Sequence, residues 1–149
     1  DCSTVVIDGV CIGGATMWGN PTSRLNDTKL IGLFKREDMQ DIHKQHVKWI
    51  KENAANVDIM VTHFCPGADL GNPNYPPNEL TDYFCPRVAP DMTVLPPVWI
   101  FGHTHYSRDE FYRATHFISN QVGYPGELKP LKIKEYNYEA TRTNYNVGV

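Results

Sequence analysis

Four apolar residues run directly into a glycine and a pair of histidines in the segment Val98-Trp99-Ile100-Phe101-Gly102-His103-Thr104-His105. A second apolar run, Asp58-Ile59-Met60-Val61-Thr62, ends at His63. Short apolar runs of this kind are typical of buried strands. In open α/β sheets, ligands gather beyond the carboxyl ends of the strands. The sequence therefore predicts an α/β fold in which two strand ends bring three imidazoles to one cavity.

The spacing of His103 and His105 suits a metal site. In an extended chain, residues i and i+2 point to the same side, so both rings are expected to face one cavity. Gly102 is expected to let the backbone turn tightly as it leaves the strand. A single histidine such as His63 is more often a hydrogen-bonded core residue. The joint occurrence at two strand ends instead favours His63, His103 and His105 as metal ligands.

Both histidine segments resemble the last two motifs of the calcineurin-like metallophosphoesterases. In that family a histidine follows one strand, often in a Thr-His-x-x-Pro context, and Gly-His-x-His follows the next. Here the two segments read VTHFCP and FGHTH. Further similar stretches extend the resemblance over roughly residues 4–127; they read VVIDGVCIGGATMW, HVKWIKE and THFISNQVGYPGE. The resemblance implies a sandwich of mixed β-sheets flanked by helices.

Three earlier motifs of that family, Asp-x-His, Gly-Asp-x-x-Asp and Gly-Asn-His, are interpreted as absent. In the family they supply a bridging carboxylate, further ligands and a proton-donating histidine. Gly19-Asn20 and Gly71-Asn72 are each followed by proline, so neither can replace Gly-Asn-His. The resemblance therefore implies that residues 1–149 are the C-terminal part of a single metallophosphoesterase domain.

The resemblance also implies an activity, the hydrolysis of a phosphate ester by metal-activated water at two divalent ions. His63 and His103 would bind one ion, and His105 the other. Mixed histidine and carboxylate ligation suits Mn, Fe or Zn, and Mn is favoured. Because the chain brings only these imidazoles, it is expected to need the missing N-terminal half of the domain, in the same or a separate chain, for activity.

Other origins and functions stay open. The chain could be a fragment of a longer enzyme, one part of a split enzyme, or a degenerate half-domain kept as a non-catalytic interaction module. Retention of all three histidines argues against the interaction module. A structural zinc site using Cys65 or Cys85 with His63 lacks any Cys-x-x-Cys spacing. The sequence does not distinguish phosphomonoester, phosphodiester, nucleotide and phosphoprotein substrates.

A proline-rich segment separates the two histidine groups. Residues 64–97 hold eight of the eleven prolines. A loop of this length in a compact domain is usually functional, and this one leaves directly from His63. It is expected to line the substrate pocket, with a short helix around Asn78 to Phe84.

The remaining elements follow from turn residues and apolar periodicity. Asp8-Gly9 predicts a hairpin, and Gly13-Gly14 is expected to break the second strand. The polar tail over residues 135–149 has no predicted structure. The predicted elements are strands over Thr4 to Ile7, Val10 to Ile12, Glu110 to Tyr112 and Thr115 to Ser119, a helix from about Glu37 to Ala55, and a turn at Gly123 to Gly126.

Three further histidines lie outside the two histidine segments. His116 falls in a predicted strand near the GHTH segment and is the candidate substrate-binding residue, with packing as the alternative. His43 and His46 are expected on a solvated helix face rather than in a metal site.

Composition limits the environment and partners. A net charge of −3 and a pI near 6.0 predict no broad nucleic-acid-binding surface. The longest apolar runs are too short to span a membrane, and the first residues do not resemble a signal peptide. Four cysteines in a chain of this size are expected to be reduced, with Cys65 and Cys85 the favoured pair if a disulfide forms. We therefore expect a cytoplasmic protein whose partners are a phosphate-ester substrate and the missing half of the domain.

Overall fold

The computed structural model describes residues 1–21 and 35–126. Within these residues the fold is mixed α/β, with one sheet, two α-helices and two short 3-10 turns. The strands are β1 (Ser3–Ile7), β2 (Val10–Ala15), β3 (Ile59–Thr62), β4 (Val98–Ile100), β5 (Arg108–Tyr112) and β6 (Thr115–Ser119). The helices are α1 (Arg36–Asn53) and α2 (Thr81–Phe84), and the 3-10 turns are Ala68–Leu70 and Ala89–Asp91.

The described strands form a six-stranded sheet in the order β1-β2-β3-β4-β6-β5. The four inner strands β2, β3, β4 and β6 are parallel to one another, and the edge strands β1 and β5 pair antiparallel with β2 and β6. The parallel centre places the carboxyl ends of β3 and β4 side by side, which confirms the α/β prediction. No helix among the described residues is long and apolar enough to cross a membrane.

The first hairpin confirms the turn prediction but corrects the strand boundary. Asp8 and Gly9 have φ of 49° and 82°, the left-handed pair that a tight hairpin requires. Gly13-Gly14 was expected to break the strand, but β2 continues through both to Ala15. A Cβ on Gly13 would lie 2.8 Å from Val57 Cγ1, so a glycine here lets the segment after α1 pack on the strand.

One face of the sheet carries the core. Gly13, Met60, Trp99 and Phe117 are laterally aligned across the four parallel strands. The three larger side chains are fully buried. The indole Nε1 of Trp99 donates to Thr62 Oγ1 at 3.0 Å, so its single polar atom is satisfied inside the core.

The next aligned row faces the other side and is less covered. It comprises Gly14, Val61, Ile100 and Ile118. Val61 is 38% exposed, and Ile100 and Ile118 are half-buried. Apolar alternation without full burial leaves a hydrophobic sheet face that another layer could cover.

Helix α1 packs across the core face through Met39, His46 and Ile50, its buried residues. The predicted helix is confirmed, two residues shorter at its C-terminal end. The predicted strands after the GHTH segment are also confirmed, as β5 and β6. The polar stretch after Pro21 and the tail over residues 135–149 lie outside the described residues.

The proline-rich loop is anchored by its short helix α2, which confirms the helix predicted there. Phe64 packs edge-on against Tyr83 of α2, with ring centroids 5.7 Å apart. Gly19, in the segment after β2, lies directly against the same residue. A Cβ on Gly19 would lie 2.0 Å from the carbonyl oxygen of Tyr83, a backbone atom that cannot move alone.

Gly19→Ala is therefore expected to destabilise the protein by about 1–3 kcal/mol, as overpacking of a filled interior does. Gly14→Ala is the matched control, because its Cβ would meet only Val61 O at an ordinary 3.5 Å. Urea unfolding of the two variants measures the difference. Equal midpoints would show that α2 does not pack against Gly19 as described.

Candidate metal centre

His63 and His103 meet beyond the carboxyl ends of β3 and β4. Nε2 of His63 lies 3.2 Å from Nδ1 of His103, and the ring centroids are 5.0 Å apart. The expected convergence of these two residues is confirmed. They come from neighbouring parallel strands and are 40 residues apart in sequence.

Backbone contacts bring the two strand ends together. Gly102 N donates to His63 O at 3.0 Å. A Cβ on Gly102 would lie 3.2 Å from the same oxygen, so the glycine allows a close approach. Thr62 Oγ1 donates to Phe64 O at 2.8 Å, which fixes the turn that carries His63. The two histidine turns are therefore joined directly to each other.

The nitrogen separation matches that of two ligands on one metal ion. Imidazole nitrogens bind zinc at about 2.0–2.1 Å, so two of them at tetrahedral or octahedral angles lie roughly 2.9–3.4 Å apart. The observed 3.2 Å falls in this range. Without metal, the same distance is an N–H···N hydrogen bond in which one ring carries the proton. Partial burial by neighbouring side chains lowers the pKa of His63, because the charged imidazolium loses hydration. The neutral form is thereby favoured.

Aromatic packing sets the orientation of the His103 ring. Phe64 stacks on it with centroids 4.2 Å apart and an interplanar angle of 28°. Phe84, from α2, lies 5.2 Å from it. His63 also makes an edge contact with Phe64 at 5.3 Å. Nothing in the spacing of the sequence predicted that these two phenylalanines would hold the histidine.

The backbone of the GHTH segment is not extended, so the expectation that His103 and His105 share a side because they lie two apart in a strand is wrong. His103 and His105 have φ of 71° and 50°, in the left-handed region that non-glycine residues seldom adopt. Gly102 is not among the residues with positive φ, so the turn is made by the histidines themselves. Both rings still line the same cavity, as expected, although by a different conformation. His63, which was expected at the same cavity, is not among the described residues that line it.

Gln121 holds this turn and was missed from the sequence. Its Oε1 accepts from His105 N at 2.7 Å, and its Nε2 donates to Thr104 Oγ1 at 2.7 Å. The Gln121 side chain is 9% exposed, and both bonds are partly buried. Its place in the ISNQVGYPGE stretch was the one available signal. Strained backbone supported by a buried amide is typical of functional segments.

His105 points to a different part of the site from His63. Its ring makes an edge contact with Tyr124 at 4.6 Å. In the described part of the chain, Asp1, Cys2 and His46 are the one set of three potential ligands with donor atoms within 4.8 Å of one another. His63, His103 and His105 therefore do not share so small a volume. This separation is compatible with His105 on a second ion.

The cavity beside the histidines has a volume of about 360 Å³. One wall is the GHTH segment, and the opposite wall is the proline-rich loop from Ala68 to Cys85. Asn72 Nδ2 donates to Thr104 O at 3.3 Å, which joins the two walls. Arg108 of β5 donates to the carbonyl oxygens of Asp69 and Gly71 at 3.3 and 2.8 Å. The predicted placement of the loop next to His103 and His105 is therefore observed.

Two cysteines of this loop are buried. Cys65 and Cys85 are free thiols, and they hydrogen-bond to each other. Cys65 Sγ also donates to Gly67 O at 3.1 Å. Burial raises the pKa of the Cys65 thiol far above its usual value, whereas the hydrogen bond shared with Cys65 lowers the pKa of Cys85. The proximity of this pair agrees with the sequence-based pairing.

His116 lies elsewhere. It pairs with Val98, the first residue of β4, whereas His103 follows the last residue of that strand. Its Nε2 lies 2.6 Å from Asp109 Oδ1, and its ring stacks on Phe111 at 4.3 Å. It does not line the cavity beside the histidines. The expected contact of His116 with substrate at this site is therefore not supported, because parallel pairing places it at the amino end of the sheet.

The expectation of a solvated face at His43 and His46 was wrong. His46 is 7% exposed, and its Nδ1 accepts from Met17 N at 3.1 Å. His43 Nδ1 hydrogen-bonds to the carbonyl of Trp18. The two rings attach α1 to the end of β2. Asp41-Ile42-His43 also has the letters of the Asp-x-His motif interpreted as absent, but it lies inside α1 rather than at a strand end.

The Asp1, Cys2 and His46 set is a poor metal site despite its spacing. Because Nδ1 of His46 accepts a backbone hydrogen bond, the neutral ring carries its proton on Nε2. That nitrogen faces Asp1 Oδ2 at 3.4 Å, so it donates rather than offering a lone pair to a cation. Asp1 also accepts from Thr16 N and Thr16 Oγ1 at 2.6 and 2.8 Å.

No model of a known family matches the chain, and no curated protein matches it. The resemblance to the metallophosphoesterases therefore depends on the histidine motifs and their placement.

The folded protein is expected to lose stability in mild acid. Burial lowers the pKa of His46 and of His43. Below about pH 6.5 the unfolded chain then binds more protons than the folded chain, so the free energy of unfolding falls as the pH falls. Above that value this contribution is fully present.

Thermal unfolding between about pH 7.5 and 5 tests this linkage. His46→Leu should lower the melting temperature at neutral pH, because Met17 N loses its acceptor at a cost of about 1–3 kcal/mol. It should also make the pH dependence shallower. Lys51→Gln, in the exposed last turn of the same helix, should leave the slope unchanged. A melting temperature that rises on acidification would contradict the account.

Proposed function

We propose that this chain supplies the histidine half of a dinuclear, metal-dependent phosphoesterase site. The observation that carries the proposal is the 3.2 Å separation between Nε2 of His63 and Nδ1 of His103. Two imidazoles at that distance, at the carboxyl ends of adjacent parallel strands, suit a divalent transition metal. His105, which lines the same cavity as His103, is the ligand proposed for a second ion.

The donor chemistry fits the proposed ions. Imidazole suits Mn, Fe and Zn better than Ca or Mg, which favour oxygen ligands alone. Divalent ions held here would neutralise the charge on a phosphate ester and activate water for in-line attack. His63 and His103 are held by backbone and aromatic contacts, which reduces the rearrangement needed for binding.

The chain's own residues define the substrate side of the site. The proline-rich loop and the GHTH turn form the two walls of the cavity, and Arg108 and Asn72 hold the loop in place. These two walls would direct the approach of a phosphate ester to the histidines. His116 lies on β6, beside the first residue of β4, and has no part in this proposal.

A second observation supports the need for another segment. The sheet face formed by Val61, Ile100 and Ile118 is apolar and incompletely covered. On β1, Val5 and Val6 are 52% and 66% exposed. A calcineurin-like sandwich, the finer fold proposed here, would place a second β-layer against such a face. The same segment, in this chain or in another, would bring the carboxylates and the general acid that the three histidines lack.

The rival function is a non-catalytic interaction module derived from a phosphoesterase. The exposed apolar face would serve such a module equally well. The positive φ of His103 and His105 favours the metal-dependent function, because strain of about 1–3 kcal/mol per residue is retained where a side chain must be presented in a fixed direction.

Reconstitution tests the proposed function. A polypeptide carrying Asp-x-His, Gly-Asp-x-x-Asp and Gly-Asn-His motifs, added to this chain, should restore Mn²⁺-dependent hydrolysis of 4-nitrophenyl phosphate. His103→Ala should abolish the restored turnover, because one ion loses a ligand. His116→Gln is the matched histidine control, because His116 lies on β6 beside the first residue of β4. This variant should retain the restored turnover.

Two outcomes would contradict the proposal. Turnover by a purified monomer of this chain alone would show that no further segment is needed. Restored turnover that survives His103→Ala would show that the histidines do not hold the catalytic metals.

A further inference from the structure

The described residues that line the cavity beside the histidines carry no permanently charged side chain. Among the described residues that line it, none is aspartate, glutamate, lysine or arginine. A second phosphate or an acidic peptide would find no cationic side chain there, and a basic group would find no carboxylate. The described lining therefore offers an ion-pair partner neither to an anionic nor to a cationic group, apart from its imidazoles.

The polar side chains of the wall are directed into the loop itself. Asn72 Oδ1 accepts from Asn74 N at 2.9 Å, and Asn78 Oδ1 accepts from Leu80 N at 2.8 Å. Thr81 Oγ1 accepts from Asn78 N at 2.8 Å. These bonds stabilise turns. What remains for recognition is mostly apolar and aromatic surface.

Two tyrosines stand at the cavity with most of their surface exposed. Tyr75 is 66% exposed and Tyr124 is 67% exposed, although large aromatic residues are usually better covered. Tyr124 also touches the ring of His105, so it lies next to the proposed metal ligands. Tyr75 precedes Pro76-Pro77, whose fixed backbone lowers the cost of ordering this wall.

We propose that this cavity holds a flat, uncharged aromatic or heteroaromatic ring as the non-phosphate group of the substrate, with Tyr75 and Tyr124 as its stacking surfaces. The inference rests on the proposed phosphoesterase function, which places the phosphate at the histidines. A volume of about 360 Å³ accommodates a ring system with a small attached sugar. Stacking on tyrosine needs no hydrogen bond from the ring, so it suits a cavity whose two asparagine side-chain oxygens already accept bonds within the loop.

Binding of adenosine to the chain without added metal tests the ring site separately from catalysis. Chemical-shift titration should show saturable binding, with the largest changes at Tyr75 and Tyr124. Ribose, which lacks the base, and cyclohexanol, which is apolar but not flat, should bind at least about tenfold more weakly.

Variants assign the contact. Tyr75→Ala and Tyr124→Ala should each weaken adenosine binding about tenfold, whereas Tyr75→Phe should retain it because the ring is kept. Phe111→Ala is the control, since Phe111 is also an exposed aromatic residue, 63% exposed, but lies away from this cavity. Its affinity for adenosine should equal that of the unmodified chain.

Equal binding of adenosine and cyclohexanol would overturn the proposal in favour of a general apolar pocket. Unchanged affinity in both alanine variants would also overturn it. Because the assay uses neither metal nor turnover, a negative result would leave the phosphoesterase proposal standing. Loss of metal binding at His63 and His103 would conversely leave the ring site standing.

Discussion

Parallel pairing of β3 with β4 brings together the two segments that carry His63 and His103. The register aligns Ile59 with Val98 and Val61 with Ile100, so both strands end at the same level of the sheet. A shift of one residue would turn Met60 and Trp99 out of the core, which makes this register strongly preferred. The nearness of His63 and His103 is therefore a consequence of core packing, and it needs no direct attraction between the two rings.

The segments beyond the strands then set the direction of each ring. Phe64 and Phe84 contact His103 on the aromatic side, and Gln121 holds the backbone of the turn. His103 and His105 adopt left-handed backbone conformations, and the partly buried hydrogen bonds of Gln121 to His105 N and Thr104 Oγ1 stabilise this turn. The folded protein therefore holds these two histidines in a backbone conformation that an isolated peptide would seldom adopt.

Local sequence patterns predicted much of this arrangement. Apolar runs located β3 and β4, the Asp8-Gly9 dipeptide located the first hairpin, and helical periodicity located α1. The same patterns failed where tertiary contacts override local preference. Gly13 sits inside a strand because the chain after α1 packs on it, and His46 is buried because its ring accepts a backbone hydrogen bond across the core. No spacing rule could have found Gln121 or Arg108, since their partners are distant in sequence.

The identity of the coordinating nitrogens tests the central claim, that His63 and His103 share one metal ion, most directly. Titration of the ¹⁵N-labelled chain with Zn²⁺, followed through the imidazole nitrogens by NMR, reports each ring nitrogen separately. The account predicts that Nε2 of His63 and Nδ1 of His103 shift together with a single stoichiometry, because these are the atoms 3.2 Å apart. Shifts at the opposite nitrogens, or at only one of the two rings, would contradict it.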